Sequence, residues 1–450
     1  MILGRKSKLF IGACLWGSMI VAVLIIPGIA MAEPVIKIGA IGPMKFEPGK
    51  NVANGVALAA EEINAAGGIS VKGVKHKIEV LVADDNCLAS VPDAVSAMER
   101  LATVQKVNFI IGGYRSESVL AQQDVAADNK LIFLGPGATH PEQCTRIAKN
   151  YQRYKYFFRV STLNSNTYAL QYMATAVPVI EKIKSQLGIN APKVALLMDM
   201  AIWTNPHVDL AKKIFPQMGC EVVGVWRPAF SATDVTAELS AIKSAGAHLI
   251  YRLQAGPAGL ATTKQWGAMQ IPGAMAGVNA SAMGSPHWEA TGRVSYEASS
   301  NDGAAVEITN KTVPFFNGYI KKYKELPLYI AMSSYDGVYV LKNAVEQTGT
   351  LNADAVVAAI EKTDMDVVGG RLNFYPPGHA TPHDTIWGPK YVTKVGFQLI
   401  NGELRVYWPD GKELPRPLIA AGAPEGWTNV KYKGTVDYQL PPWMVKYWKK

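Results

Sequence analysis

LIFLGPGATHPEQ, residues 131–143, joins an apolar run to a glycine-rich turn. Leu131 to Leu134 carry no polar side chain, as a strand buried on both faces requires. The run stops at Gly135-Pro136-Gly137, and Ala138, Thr139 and His140 follow. Such a loop lets backbone N–H groups approach an anion beside a hydroxyl. It can hold a phosphate, an oxyanion or a carboxylate, and the rest of the chain has to decide which.

Similar runs occur at 35–41, 78–83, 107–111, 194–198, 222–226 and 249–253, most of them nearly continuous in Val, Ile and Leu. Helical patterns lie between them. Val52, Val56, Ala59 and Ile63 mark one helix face that Gly67-Gly68 ends; Val235, Leu239 and Ile242 mark another, with Ser231 or Thr233 as its N-cap. This alternation predicts an α/β fold of parallel sheets covered by helices on both faces. One strand series ends near residue 160 and a second follows, so two lobes with several chain crossings are expected. Their boundaries are 33–160 with 300–365, and 161–299 with 366–410. Residues 411–450, rich in Pro and Trp and without periodicity, are expected to form a tail on the surface.

The first 32 residues stand apart. Arg5, Lys6 and Lys8 precede an apolar stretch that ends at Pro27-Gly28, and Ala30-Met31-Ala32 is a cleavage pattern, so residues 1–32 read as a secretory signal peptide. Its removal lowers the formal charge from +9 to +6. No basic stripe interleaved with aromatics runs through the body, which argues against nucleic acid. The mature chain keeps Cys87, Cys144 and Cys220, and an oxidising compartment permits one disulfide. Cys87 and Cys144 both follow strand ends, so a Cys87–Cys144 bridge on one rim is expected, with Cys220 free.

In an open α/β sheet, ligands bind beyond the carboxyl ends of the strands. Three loops sit there: Gly112-Gly113-Tyr114-Arg115-Ser116, the GPGAT turn, and DMAIWTNP at 199–206. Ser116 and Thr139 supply hydroxyls, and Trp203 supplies a flat apolar wall. Gly-Pro-Gly can equally be a plain turn, Ser116 a helix cap and Trp203 core. The chain contains no GxGxxG, GxxxxGK[ST], GxSxG or HExxH motif. His379 and His383 have metal-like spacing, but Pro382 between them and Pro376-Pro377 before them oppose a shared helix face. Asp84-Asp85 read as a solvated or capping pair. No cofactor and no metal are expected.

The stretches IKIGAIGPM, NGVALAAEEINAAGGI, VLVADDNCL, FIIGGYRSESV, LIFLGPGATHPE, FFRVSTLNS and KVALLMDMAIW follow one another between residues 36 and 203. In this order they resemble the leucine/isoleucine/valine-binding family of periplasmic solute receptors for ABC importers. The resemblance implies a type I periplasmic-binding-protein fold, with two doubly wound lobes joined by a three-crossing hinge and a ligand clamped between them. It implies no enzyme activity, a periplasmic location and a membrane permease as partner. It places the ligand carboxylate on Ser116, Ala138 and Thr139, and Trp203 over the ligand. An acid that would pair with the amino group is replaced by Asn279 in AGVNASAMG, while Glu289 and Asp302 remain alternatives. Arg115 and Arg252 add positive charge near the expected cleft. The residues therefore lean towards a carboxylate without an amine, against the amino acids that the resemblance implies. A ligand-sensing subunit of the same fold and an exported α/β hydrolase are the other readings.

Overall fold

The computed structural model describes residues 34–449. The expected signal peptide at 1–32 lies outside them. All seven apolar runs form strands. The first sheet contains β1 (Val35–Gly42), β2 (Ile69–Val71), β3 (Val74–Asp84), β4 (Phe109–Gly112), β5 (Ile132–Gly135) and β6 (Phe157–Arg159), in the order β2-β3-β1-β4-β5-β6. All its pairs are parallel except the β2–β3 hairpin. The second holds β7 (Lys193–Met198), β8 (Glu221–Trp226), β9 (Leu249–Gln254) and β10 (Ala274–Asn279), all parallel, in the order β10-β9-β7-β8. The core lies between these sheets and their helices. Ile36, Ile38, Ile111, Leu134, Leu196 and Leu249 are among its fully buried residues.

A smaller antiparallel sheet extends the second: β11 (Ala298–Asn301), β14 (Val395–Ile400) and β15 (Glu403–Trp408), with the hairpin β12 (Asp364–Val367) and β13 (Gly370–Asn373) between them in sequence. Asn352 caps helix Ala353–Ile360 and Asn164 caps helix Ser165–Leu187. Helix Thr236–Ser244 begins without a side-chain cap on its N-cap residue Val235. Asp234, not Ser231 or Thr233, accepts the Thr236 amide, at 2.9 Å.

The chain passes between the two main sheets three times, near 160–164, 301–303 and 393–394. These passes are polar and buried, and they are tied together. Lys394 Nζ lies 3.1 Å from Asp302 Oδ1 and donates to the Ser161 carbonyl. Ser161 Oγ donates to Asp336 at 2.7 Å, and Tyr168 donates to Asp302 at 2.7 Å. Residues 374–392 lie against β6: the Arg159 amide donates to the His383 carbonyl at 3.0 Å, and Phe158 meets Phe374 edge to face at 5.2 Å. Beyond β15, Trp427 is buried against Trp408, and Trp443 and Trp448 donate to the carbonyls of Ile271 and Pro272.

Candidate functional site

Both main sheets reverse their strand order next to the first strand, between β1 and β4 and between β7 and β9. Crevices open at such reversals, beyond the carboxyl ends. A cavity of about 280 Å³ lies there, lined from both sheets and from the end of β11 with Asp302 after it. That volume suits a ligand of roughly one ring with its substituents, at the small end of known sites.

The wall from the first sheet is the loop pair read from sequence. A Cβ on Gly137 would lie 2.5 Å from the Gly113 carbonyl oxygen, so the GPGAT turn and the loop after β4 touch backbone to backbone. Gly113 itself has φ +85°, which disfavours any side chain. Ser116 starts the helix Ser116–Asp128, and its Oγ accepts the amides of Thr139 at 3.4 Å and His140 at 3.3 Å. Thr139 Oγ1 lies 3.1 Å from Ser165 Oγ. The Ser116 O–H and the amides of Ser116 and Ala138 have no protein acceptor among the described residues. Arg115 is held by Glu117 at 3.2 Å and by the Leu88 carbonyl at 3.2 Å. Ser116, Thr139 and Arg115 all line the cavity, while Ala138 is buried just behind it. The arrangement is a set of open donors at a helix N-terminus, suited to an oxyanion.

The facing wall is apolar and aromatic. Trp203 lines it, with Met200, Phe230, Val278 and Met283. Tyr114 crosses the cleft and donates to the Ala255 carbonyl at 2.7 Å. Tyr168, Tyr172 and Tyr329 also line the cavity.

Arg252 and Asn279 are not part of that lining. Their side chains leave β9 and β10 on the side away from the cleft and close on Glu297. Arg252 Nη2 lies 2.5 Å from Glu297 Oε1, Asn279 Nδ2 donates to the same oxygen at 2.8 Å, and His287 Nε2 lies 2.6 Å from Oε2. Burial alone would raise the Glu297 carboxyl, but His287, Arg252 and Asn279 hold it down at about 2. The expectation that Arg252 and Asn279 reach the ligand is therefore corrected: strand alternation turns both inward, and one buried carboxylate occupies them. Ser281 Oγ lies 3.2 Å from His287 Nδ1, which completes a Ser–His–Glu row. That serine also donates to Asn279 at 2.9 Å and is not among the cavity's lining residues.

Of the two alternative acids, Glu289 is exposed and pairs with Arg293. Asp302 does line the cavity, yet Lys394, Tyr168, Ser333 and Thr162 occupy its oxygens. Asp199, behind the second wall, accepts the amides of Ala255 and Gly256; burial pushes its carboxyl up to about 7.

Cys87 and Cys144 are buried free thiols, as is Cys220, so the expected bridge is corrected. Cys87 follows β3 and Cys144 follows β5, and β1 and β4 lie between those strands. Three strand spacings of about 4.8 Å exceed the reach of a disulfide by a factor of two. His383 is buried with Nδ1 3.0 Å from the Phe157 carbonyl and Nε2 2.8 Å from Glu361, while His379 stacks on Tyr375 at 4.0 Å.

Sequence reasoning passed over Tyr168, Tyr172, Phe230, Tyr329 and Asn301. Tyr168 and Tyr172 carry a usable signal: they sit three and seven residues after Ser165, on one face of a helix that starts at a chain crossing.

A description of the periplasmic binding protein family matches residues 35–388. The leucine-, isoleucine-, valine-, threonine- and alanine-binding protein of Pseudomonas aeruginosa is 23% identical over 376 residues, covering 80% of this chain and 92% of that one. The fold is similar to that of the branched-chain amino acid transporter substrate-binding protein LivJ of Streptococcus pneumoniae, solved with isoleucine. That pair has a TM-score of 0.66 and 22% identity, over 82% of this chain and 97% of that chain. It is also similar to a solute-binding protein of an ABC transporter from R. palustris, solved with benzoate. Here the TM-score is 0.67 and the identity 16%, over 83% of this chain and 95% of that chain.

Proposed function

The chain belongs to the periplasmic binding protein family, and from that premise we propose that it is the exported substrate-binding component of an ABC importer, capturing a small carboxylate and presenting it to a membrane permease. One observation carries the ligand class. The first wall offers open N–H and O–H donors at Ser116 and Ala138 beside Thr139 and Arg115, and no carboxylate in the lining is left without a cation. A carboxylate gains charge-assisted hydrogen bonds there. An ammonium would have to be buried against Asp302, which Lys394 already neutralises, and an unpaired buried charge is costly. The aromatic second wall then suits a flat apolar body.

In this reading an amine-free or aromatic acid is preferred over an amino acid. Relatives that bind branched-chain amino acids supply the second reading, which differs only in the ligand. The lobes are the two main sheets with their helices, and residues 366–392 travel with the first because β6 holds most of them. Ligand bound on Ser116 and Thr139 draws Trp203 over it by motion about the three crossings. The protein works as a receptor and not as an enzyme, and residues 1–32 direct its export.

The test is a thermal-denaturation screen of amino acids and aromatic acids against the mature protein, followed by titration calorimetry of each hit. A true ligand at one hundred times its dissociation constant stabilises the protein by about 2.7 kcal/mol. Stabilisation by aromatic acids supports the reading. Stabilisation by leucine or valine alone replaces it with the amino acid reading.

A further inference from the structure

Two polar groups lining the same cavity have no partner among the described residues. The Tyr172 hydroxyl makes no hydrogen bond among the described residues, although Tyr172 is only 6% exposed. Its neighbour Tyr168, one helical turn earlier, donates to Asp302. Asn301, 4% exposed, uses Oδ1 to accept the Asp302 amide at 2.7 Å. That bond fixes which end of the side-chain amide is which, and Nδ2 of this lining residue has no acceptor among the described residues. Both residues are largely buried and line the cavity, so their free donors can be met only through it, and two of them together point to a partner that arrives with the ligand.

We propose that Tyr172 and Asn301 form a second recognition point, for an oxygen acceptor on the ligand opposite its carboxylate. The preferred ligand is then a hydroxylated aromatic acid; this rests on the carboxylate reading above. The geometry is set by the helix Ser165–Leu187. Its first residue lies 3.1 Å from Thr139, at the carboxylate end. Tyr172 follows two turns later on the same face, about 10 Å along the axis. Helical side chains lean back toward the N-terminus, so its hydroxyl returns toward the cradle by part of that distance. One ring with a polar substituent spans the remainder.

Tyr172 cannot turn away to find another partner. Its ring is stacked between Tyr168, at 4.8 Å and 12°, and His207, at 5.8 Å and 16°. His207 is itself buried with neither ring nitrogen bonded, and burial pushes it down to about 3, so it brings no charge to this end. The chemistry also discriminates. Asn301 Nδ2 can only donate, so it meets an ammonium donor to donor and a hydroxyl donor to acceptor. The phenolic group of Tyr172 can donate to a ligand hydroxyl or accept from it.

The experiment is calorimetry of the wild-type protein with benzoate, 3- and 4-hydroxybenzoate, and 3- and 4-methylbenzoate. The better hydroxy acid should bind about tenfold or more tightly than its methyl counterpart, because the methyl group leaves both donors unpaired. Tyr172→Phe should lower affinity for the hydroxy acid several-fold more than for benzoate. A purely structural role would lower both affinities alike and overturns the proposal. Benzoate binding with no gain from either hydroxyl in the wild type also overturns it, while leaving the carboxylate reading intact. Failure of all five acids to bind, with amino acids binding, overturns the amine-free reading on which this proposal rests.

Discussion

On the wall built by the loops after β4 and β5, Ser116 and Ala138 keep amides without an acceptor among the described residues, whereas behind the opposite wall Arg252 and Asn279 from the strands and His287 from the helix Pro286–Ala290 all close on Glu297. Both walls come from parallel sheets that reverse order beside their first strand. The difference lies in where each sheet puts its polar groups. The first leaves donors at a loop end, facing the cleft. The second buries a charged cluster on its far side and presents aromatic rings instead. In the proposed reading recognition and closure are thereby divided: one wall would bind the anion, and the other would cover it with apolar surface. A buried cluster is costly to break, and in the proposed reading affinity rests on the open donors instead.

The largest expected effect tests the closed cluster. Glu297→Gln keeps the shape and leaves Arg252 buried beside a neutral amide. It should cost about 3–5 kcal/mol of stability, read from the denaturant midpoint, with ligand affinity of the folded fraction little changed. A stable variant that no longer binds ligand would mean that Glu297 serves the ligand, and the division between walls would fail.

The open donors come next. Ser116→Ala and Thr139→Ala should each weaken carboxylate binding by about 1.5–3 kcal/mol in calorimetry, roughly tenfold or more. Wild-type affinity in both variants would remove the cradle.

The crossings between the walls predict a pH effect. Burial pushes Asp336, which holds Ser161 and the Val368 amide, up to about 6. An unfolded aspartate titrates near 3.9. Between these values the folded state keeps a proton that the unfolded state has lost, so stability falls as pH rises from about 4 to about 6. The slope from one such group approaches about 1.4 kcal/mol per pH unit. Asp336→Asn should flatten denaturation midpoints across that window and leave the share of Asp199, which extends to about 7. An unchanged slope would show that Asp336 stays ionised.

The smallest effect is none. With Cys87, Cys144 and Cys220 free, reductant should leave the unfolding midpoint where it was, and denatured mature protein should label at three thiols. A reductant-dependent midpoint would restore the bridge.

Strands buried on both faces write themselves as apolar runs, which is why β1, β3, β4, β5, β7, β8 and β9 were legible. β10, AMAGVN, and β11, ASSN, are small or polar and carry no such run. The β14–β15 hairpin has a signal of another kind in Asn401-Gly402, both at positive φ. Ser116, Thr139 and Trp203 were legible as lining of the cavity because they follow strands whose carboxyl ends open on the cleft. Arg252 and Asn279 were not, since a continuous apolar run does not say which side chain points to which face. The cysteine pairing failed for want of strand order, which spacing along the chain does not contain. Glu297, ten residues past His287 in an unremarkable polar stretch, could be found only by folding.

The most direct measurement compares ligands that differ only by the amine. Calorimetry of the mature protein with phenylalanine against 3-phenylpropanoate, and leucine against 4-methylpentanoate, isolates that group. The account predicts that in at least one pair the amine-free acid binds about tenfold or more tightly, since a buried ammonium finds no free carboxylate. Micromolar binding of leucine or phenylalanine, with both amine-free acids silent, would contradict it.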